Sequence, residues 1–536
     1  MRIGPSAPSP GGSGQAKNSH QPSAWSQMVC TVRMMAWILL SFGSMLILPS
    51  CAKKPDANTL VMIIESSPTN LDPRVGLDAQ SEDIDGLLFD NLLSRDEHLN
   101  VKPSLAERWE ILNPKTYVFH LRPGVQFCNG ALLTSRDVKW SFDSVLGGQV
   151  HTTKSSSYKL VDHIEAPDDR TVIFHLKEPW AGLLWNLAGG EGMGIVPYGS
   201  MSEMTREPIG SGPFCFVAAE QDRYVEIKKN ENYWGEKARL ERVHFMVVPD
   251  ATTRALELRK GSADVALELA PDTVVTLRRE PHLQVLTGPG TRVQYMAFNL
   301  RDPILKDVRV RRALAYTLDT GPIIHFIWRD FARPADSVLP PESWAYNGDV
   351  QHYAHDPAKA RELLDEAGYN EINGIRFHLE MKTSTEETSR AIAAVFQQQL
   401  REVGIALDIR SYEAATFLSD VTHGEFQVYS LRWVGGNQDP EIFEYAFDSA
   451  QIIPKGANRQ YYSNPRVDAL IAQARAELDQ NARKWDYAEL QKILAQDLPY
   501  VDLWYLNNVM VASKRVHGLE LNPAGNFDFL KTAELQ

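Results

Sequence analysis

Strand-like apolar runs alternate with capped helical patterns through the second half of the chain. A strand pattern at 375–379 precedes a helical pattern at 387–403, and another strand pattern follows at 405–409. Strands that alternate with helices form βαβ units, whose strands lie parallel in one sheet. The sequence therefore predicts an α/β fold with a partly parallel sheet.

One helix of this region combines a clear start signal with a basic face. Asp307 offers an N-cap, and apolar residues recur at helical spacing from Val310 onward. Three arginines lie off that apolar stripe: Arg309, Arg311 and Arg312. We expect all three to form a solvated face of the helix rather than an anion site.

A separate small α/β unit is predicted over about 99–205. Strand patterns at 117–122 and 171–177 are rich in β-branched and aromatic residues. Between them, Thr134 and Asp137 approximate a capping box at the start of an amphipathic helix. We expect the two strands to belong to one small sheet, with this helix between them in the chain.

The N-terminal stretch indicates the compartment in which the protein works. Residues 1–27 are rich in Gly, Pro, Ser and Gln and are predicted to be a disordered leader or to precede the true start. Residues 28–50 have the basic start and short apolar run of a signal peptide. The run ends in Leu-Pro-Ser before Cys51, which resembles the lipobox of bacterial lipoproteins. Cys51 is therefore a predicted lipidation site, and a plain secretory signal or short membrane anchor is the alternative.

Charge and composition exclude two classes of function. The chain is 43% hydrophobic and carries a formal net charge of −13. Nucleic-acid binding requires a basic face, so we expect no nucleic-acid partner. No apolar stretch after residue 50 is long enough to span a bilayer.

The part of the chain after residue 50 is longer than one hydrophobic core organises, which predicts at least two lobes.

Two cysteines remain beyond the leader, Cys128 and Cys215. A disulfide between them is permitted outside the cytoplasm, but their positions in the sequence do not show that they are close. Two buried thiols are the favoured interpretation, and the disulfide stays open. Because neither cysteine belongs to a CxxC pair, neither a metal site nor a redox motif is indicated.

The sequence contains no signature of a catalytic site. It lacks a GxxxxGK[ST] phosphate loop, a GxSxG nucleophile elbow and an HExxH zinc motif. His352 and His355 precede the helix that Asp356 begins, so we expect them in a loop rather than at a metal ion. These features favour a non-catalytic binding protein without a cofactor. An extracytoplasmic hydrolase is the alternative from a different class.

The loop after the strand pattern at 426–431 has the composition of a binding loop. It contains Trp433, Gly435, Gly436, Asn437 and Asp439. In open α/β sheets, ligands bind beyond the carboxyl ends of strands, where glycines allow close backbone approach. We therefore predict that these residues contact a ligand. A surface turn with a core tryptophan is the alternative.

Several short segments, taken in order, resemble the extracytoplasmic solute-binding proteins of ABC importers, in the peptide/nickel-binding family. The segments are NLDP at 70–73, PSLAERW at 103–109, FHLR at 119–122, LTSRDV at 133–138, GSGPF at 210–214, NYWG at 232–235, DVRVRRAL at 307–314, and 356–369. Each is short, but their order extends over nearly all of the chain after the leader. The resemblance implies a non-catalytic protein that binds its solute by closure of two lobes.

The resemblance also implies the division of the chain into domains. The first lobe would combine 52–98, 206–292 and 507–536. The small α/β unit at 99–205 would be inserted in that lobe, and the second lobe would span 293–506. The fold class expected is thus α/β, a two-lobed periplasmic-binding-protein clamp with an additional α/β domain in the first lobe.

The function implied is capture of peptides or peptide-like solutes and their delivery to an ABC permease, by a monomer anchored outside the cytoplasm. Tyr295, Asn299 and Arg333 are expected to line the cleft. Peptide-binding relatives have an aspartate that pairs with the peptide α-ammonium where this chain has Gly436. Such a charge-assisted bond contributes about 1.5–3 kcal/mol. Its absence makes a chelated metal, a glycoside or a modified peptide the alternative solute, unless Asp439 substitutes.

Overall fold

The computed structural model describes residues 58–188, 192–434 and 439–536. The described residues form one compact unit. The predicted leader, the signal peptide and Cys51 lie outside the described residues. Among the helices that are described, none has both the length and the apolar composition that crossing a bilayer requires.

The described strands, in chain order, are β1 (Thr59–Ile64), β2 (Leu93–Arg95), β3 (Val101–Pro103), β4 (Ala106–Asn113), β5 (Thr116–Leu121), β6 (Val161–Asp168), β7 (Thr171–Leu176), β8 (Phe214–Glu220), β9 (Tyr224–Lys229), β10 (Arg242–Val247), β11 (Val265–Leu267), β12 (Leu283–Gly288), β13 (Val293–Phe298), β14 (Ala332–Pro334), β15 (Phe377–Ser384), β16 (Ile405–Tyr412), β17 (Val428–Trp433), β18 (Tyr500–Leu506), β19 (Asn508–Ser513), β20 (Val516–His517) and β21 (Glu534–Leu535). The described α-helices span Ala79–Leu88, Ser135–Leu146, Leu183–Asn186, Ala251–Lys260, Pro271–Leu277, Val308–Thr317, Pro357–Glu366, Glu387–Glu402, Ala414–His423, Ile442–Phe447, Pro465–Ala476 and Gln480–Asp497.

A seven-stranded sheet has the order β12-β19-β11-β1-β10-β9-β8. Its centre is parallel, because β1 pairs in parallel with both β10 and β11. The flanking pairs are antiparallel, and β19 lies between β11 and β12. Every residue of β1 is buried, as expected for a central strand that is covered on both faces.

A six-stranded sheet has the order β14-β18-β13-β17-β15-β16. Strand β15 pairs in parallel with β16 and β17, which confirms the predicted partly parallel sheet. Strand β13 is antiparallel to both of its neighbours. Hydrophobic clusters pack on both faces of this sheet, so its two faces hold separate cores.

A four-stranded antiparallel sheet, β4-β5-β7-β6, forms the third large layer. Strands β5 and β7 are neighbours in it, which confirms their predicted place in one sheet. The helix Ser135–Leu146 packs on the sheet through buried Val138 and Phe142. Its start carries the predicted capping box, in which Asp137 Oδ2 accepts from Thr134 N at 2.7 Å. The domain boundaries given above stay a proposal.

Cys128 and Cys215 form a disulfide. The favoured interpretation of two buried thiols was therefore wrong. The bond joins the segment after β5 to strand β8 of the seven-stranded sheet. Backbone contact accompanies it, since Cys128 N donates to Gly210 O at 2.8 Å. The contact joins positions far apart in the chain, which no local pattern reports.

The arginine face of the helix Val308–Thr317 is not uniformly solvated, contrary to the prediction. Arg309 and Arg312 lie at the surface, but Arg311 is only 5% exposed. Its guanidinium donates to the carbonyl oxygens of Leu305 at 2.7 Å and Leu498 at 2.9 Å. Arg311 therefore joins the start of this helix to the end of the helix Gln480–Asp497. The cation can be buried because backbone carbonyl oxygens at both places accept its hydrogen bonds.

Candidate functional site

A groove of about 380 Å³ lies between the seven-stranded and six-stranded sheets. One wall is formed by Leu267, the last residue of β11, and by the residues after it up to Pro271. Asn508 on β19 belongs to the same wall. The other wall includes Gln294 on β13 and Ser430 on β17. Because both sheets contribute side chains, a change in their separation would change the groove.

The groove wall is polar and carries more arginines than glutamates. Arg254, Arg292 and Arg432 contribute to it, as do Glu268 and Glu386. Arg292 forms an ion pair with Glu268. Arg254 is 7% exposed, and its Nε makes no hydrogen bond with the residues that the structure describes. This surplus of positive charge suits a ligand with a carboxylate or another anionic group.

The floor between β13 and β17 is held by a chain of hydrogen bonds. Gln294 Nε2 donates to Ser430 Oγ at 2.7 Å, and Ser430 Oγ donates to Tyr295 O at 2.8 Å. Both side chains therefore have fixed orientations. The groove thus presents an ordered polar surface rather than mobile side chains.

An aromatic platform, defined here as Tyr295, Trp433, Tyr445 and Arg459, lies at the carboxyl end of β17. The Tyr295 and Trp433 rings stack with centroids 5.9 Å apart and an interplanar angle of 21°. Tyr445 meets Trp433 edge-on at 6.3 Å and is 50% exposed. The Arg459 guanidinium lies 5.6 Å from the Trp433 ring centroid. An exposed tyrosine and a half-buried tryptophan provide a stacking surface with a cation behind it.

Tyr295 is the buried member of the platform. It is 1% exposed, and its hydroxyl accepts from Arg459 Nη1 at 3.3 Å. Burial raises the pKa of the Tyr295 hydroxyl, so this group is neutral at physiological pH. The pairing of Val293 with Trp433 places the two rings on adjacent strands. The structure therefore brings together two of the residues that the sequence singled out.

Asn299 and Arg333 lie elsewhere and have other partners. Asn299 is 7% exposed and donates to the carbonyl oxygens of Gly424 and Phe426, at 3.3 and 2.9 Å. Arg333, on β14, donates to both carboxylate oxygens of Glu342, at 2.8 and 2.6 Å. Asn299 thus holds a turn, whereas Arg333 belongs to a bidentate ion pair at the edge of the sheet.

The predicted binding loop is only partly described. Gly435, Gly436 and Asn437 lie outside the described residues. Asp439 is 9% exposed, and its Oδ1 accepts from Glu441 N at 2.6 Å. The Asp439 carboxylate therefore stabilises the start of the turn that leads to the helix Ile442–Phe447.

Sequence reasoning missed a contact between the four-stranded and six-stranded regions. Trp180, four residues after β7, donates from Nε1 to Glu441 Oε1 at 2.7 Å. Ala181 N donates to Arg475 O at 3.0 Å beside it. Gly182 allows this approach, because a Cβ added there would lie 1.8 Å from Glu441 Oε1. The two partners are 261 positions apart, and no local pattern connects them.

Glu441 is a titrating group at this contact. Desolvation, followed by the nearby Asp439 carboxylate, raises its pKa from 4.5 to about 8, although the Trp180 hydrogen bond and the Arg483 charge act in the opposite direction. The folded protein thus keeps a proton on Glu441 at pH values where the unfolded chain has released it.

We expect Glu441→Gln to flatten the pH dependence of stability. Between pH 4.5 and about 8 the folded state binds more protons at this site than the unfolded state, so the free energy of unfolding falls as pH rises. Each pKa unit corresponds to about 1.4 kcal/mol. Urea unfolding at pH 5 and pH 8 measures the difference, and exposed Glu362→Gln, which removes a pair with Lys359, is the control. An equally steep pH profile in Glu441→Gln would contradict the assignment.

The comparisons with known proteins agree with this architecture. Residues 100–454 match the family of bacterial extracellular solute-binding proteins, family 5, middle region. The dipeptide-binding protein of Escherichia coli (strain K12) is 29% identical over 520 residues, which cover 92% of this chain and 97% of that protein. Heme-binding protein A of Haemophilus influenzae is 27% identical over 503 residues, covering 88% and 92% of the two chains.

A solved structure has the same fold. The oligopeptide-binding protein AppA from Bacillus subtilis, in complex with a nonapeptide, is 27% identical and superposes with a TM-score of 0.72, covering 89% of this chain and 99% of that chain. The mixed α/β architecture predicted from the sequence is therefore confirmed. Members of the matched family bind solutes and are not enzymes. The sheets, the groove and the match to two-thirds of its residues together place this chain in family 5 of the bacterial extracellular solute-binding proteins.

Proposed function

We propose that this protein captures a peptide or peptide-like solute between two lobes and delivers it to an ABC permease. The lobes are those expected above, 52–98 with 206–292 and 507–536 against 293–506, with 99–205 inserted in the first. The observation that carries the proposal is the groove, since side chains from both large sheets line it. A ligand that contacts both walls would stabilise the closed arrangement.

The chemistry of the groove suits a peptide-like ligand. The surplus of arginines over glutamates provides partners for a carboxylate. The exposed part of the aromatic platform provides a surface for an apolar or aromatic side chain. We propose that Trp433 and the loop residues Gly435, Gly436, Asn437 and Asp439 contact the ligand directly.

We propose indirect roles for the other residues that were predicted to line the cleft. Tyr295 is proposed to position Trp433, because the two rings stack and Tyr295 is buried. Arg333 and Asn299 are proposed to shape the cleft indirectly, through their contacts with Glu342 and two backbone carbonyls. We further propose that Cys51 carries a lipid that anchors a monomer outside the cytoplasm, on the sequence argument above.

A solute other than an ordinary peptide is the second candidate. The position of the ammonium-pairing aspartate is Gly436 in this chain, and Asp439 is engaged by the backbone of its own turn. A relative that is 27% identical to this chain is named heme-binding protein A, so proteins similar to this chain include one that is named for a solute other than a peptide. An aromatic platform also suits a planar or cyclic ligand.

Mass spectrometry of the solute that co-purifies with the protein tests the proposal. The protein is denatured and the released small molecules are identified. A mixture of short peptides is the expected result. A single non-peptide mass would replace the peptide proposal with the second candidate. If no solute is released, a panel of dipeptides and tripeptides is titrated instead, and failure of every peptide to bind contradicts the peptide proposal.

Trp433→Ala tests the platform in the same system. We expect it to weaken binding of the identified solute at least tenfold, since a buried aromatic contact at a binding site is worth about 2 kcal/mol or more. Trp485→Ala is the matched control, because Trp485 is 55% exposed on the helix Gln480–Asp497 and does not belong to the aromatic platform. Isothermal titration calorimetry measures both. Equal loss in the two variants would argue against the platform.

A further inference from the structure

An exposed cluster of metal-ligating side chains lies on the four-stranded sheet. It consists of His163 and Glu165 on β6 and His175 on β7. One ligand atom from each residue lies within 4.8 Å of the others. We propose that these three side chains bind a divalent late first-row transition-metal ion, with Zn²⁺ as the reference ion. This site belongs to a different sheet from those that line the groove, and it does not rest on the proposed function.

The strand register explains why the three side chains converge. His163 lies directly opposite His175 in the antiparallel pair β6–β7. Glu165 is two residues further along β6 and therefore points to the same face of the sheet. Directly opposed and diagonal neighbours on one face are within reach of each other. The inner face of β7 is occupied by Phe174 and other core residues, so the cluster faces outward.

The distances fit tetrahedral coordination. His163 Nε2 and His175 Nε2 each lie 3.4 Å from Glu165 Oε1. A tetrahedral ion with bonds of about 2.0–2.1 Å has ligand atoms about 3.3–3.4 Å apart. The imidazole rings are parallel, with centroids 4.3 Å apart and an interplanar angle of 8°. Because a metal ion bonds in the plane of each imidazole, we expect one ring to rotate about its side-chain torsions so that both imidazoles and the carboxylate meet one ion.

The surroundings prepare two of the ligands. A β-bulge between Val161 and His163 brings Asp162 beside the His163 ring, and His163 Nδ1 lies 2.9 Å from Asp162 Oδ2. When Nδ1–H donates to that carboxylate, Nε2 keeps its lone pair for a metal, as in carboxylate–histidine–metal arrangements. His175 Nε2 is shielded from solvent and makes no hydrogen bond with the described residues. A bound ion would satisfy it.

The ligand types select the class of ion. Imidazole nitrogen suits Zn²⁺, Ni²⁺ and Cu²⁺, whereas Mg²⁺ and Ca²⁺ prefer sites built from oxygen. Two imidazoles and one carboxylate leave at least one coordination position for water or for another molecule. His163 and Glu165 are 54% and 51% exposed, so the ion would exchange with solvent directly.

Calorimetric titration of the untagged protein with ZnCl₂ tests the site. We expect one-site binding that His163→Ala, His175→Ala and Glu165→Gln each weaken at least tenfold, since even the loss of an outer-shell partner typically costs 10–100-fold in metal affinity. MgCl₂ in excess is expected to leave Zn²⁺ binding unchanged. All three substitutions are at side chains on the sheet surface, and circular dichroism verifies that each variant is folded.

His378→Ala is the matched control. His378 also faces an acidic neighbour across a strand pair, Asp408 at 3.6 Å, but on the six-stranded sheet. Its removal is expected to change Zn²⁺ affinity less than twofold. The proposal is overturned if the wild-type protein does not bind Zn²⁺. It is also overturned if the three cluster variants bind Zn²⁺ as the wild type does, since the ion would then lie elsewhere.

Discussion

Substitution of Arg311 by Ala is expected to lower the free energy of unfolding by about 3 kcal/mol, since leaving a buried acceptor unsatisfied costs about 1–3 kcal/mol and several acceptors lose their donor here. The Arg311 guanidinium donates to backbone carbonyls of Leu305, Lys306 and Leu498. Without it these acceptors stay buried and unpaired. Burial lowers the pKa of Arg311 to about 10, so the side chain still carries its charge at neutral pH.

Urea unfolding of Arg311→Ala at neutral pH measures the effect. Arg309→Ala on the same helix is the control, because Arg309 is 44% exposed and pairs with Asp307 at the helix start. Exposed ion pairs contribute about 0–1 kcal/mol, so we expect a small change there. Similar losses in the two variants would mean that the carbonyl contacts of Arg311 do not contribute as the geometry indicates.

Reduction of the disulfide between Cys128 and Cys215 is expected to cost about 2–5 kcal/mol of stability. The two cysteines are 87 positions apart, and cross-links that close long loops restrict the unfolded chain most. The bond also ties the segment after β5 to β8, so we expect the four-stranded region to become more susceptible to proteolysis. Urea unfolding with and without dithiothreitol measures the cost.

The double variant Cys128→Ala, Cys215→Ala separates loss of the cross-link from other effects of the reductant. It is expected to unfold at the urea concentration of the reduced wild type and to be insensitive to dithiothreitol. A reductant effect that persists in the double variant would have another origin. Unchanged unfolding of the reduced wild type would show that native contacts alone hold the two segments together.

Local chemistry allowed the helix boundaries to be predicted from sequence. Asp307 was expected to cap the start of a helix, and the structure has Val308–Thr317 with the Asp307 side chain accepting from Arg309 N. The N-cap at Asp356 also begins the predicted helix, Pro357–Glu366. Caps and glycine stops involve neighbours within one turn, which is why the sequence alone reports them.

Contacts between distant segments could not be predicted in this way. The strand patterns did not identify β12 or β19, which pair with each other across more than 200 residues. The burial of Arg311 depends on carbonyls at Asp497 and Leu498, and those lie in another helix end. Such partners come together only in the folded chain, so periodicity along one segment carries no signal of them.

The residues of the candidate site also fall into two groups: those that a local pattern predicts and those that depend on a distant segment. Trp433 was found from its loop composition, and Tyr295 lies beneath it because β13 and β17 are adjacent. Arg459 and Glu441 were missed, since each acquires its role from a partner on a distant segment. Gly435 and Gly436 were predicted to contact a ligand from the composition of the loop, and this stays a prediction.

The position of β19 determines when the largest sheet can form. This strand lies between β11 and β12, yet it follows β12 by more than 200 residues in the chain. The sheet is therefore incomplete until residues 508–513 are available in the compartment where the chain folds. The four-stranded sheet, by contrast, takes all its strands from Ala106 to Leu176 and pairs over short chain distances. Vectorial appearance of the chain thus permits early folding of the smaller sheet and delays the larger one until residues 508–513 are present.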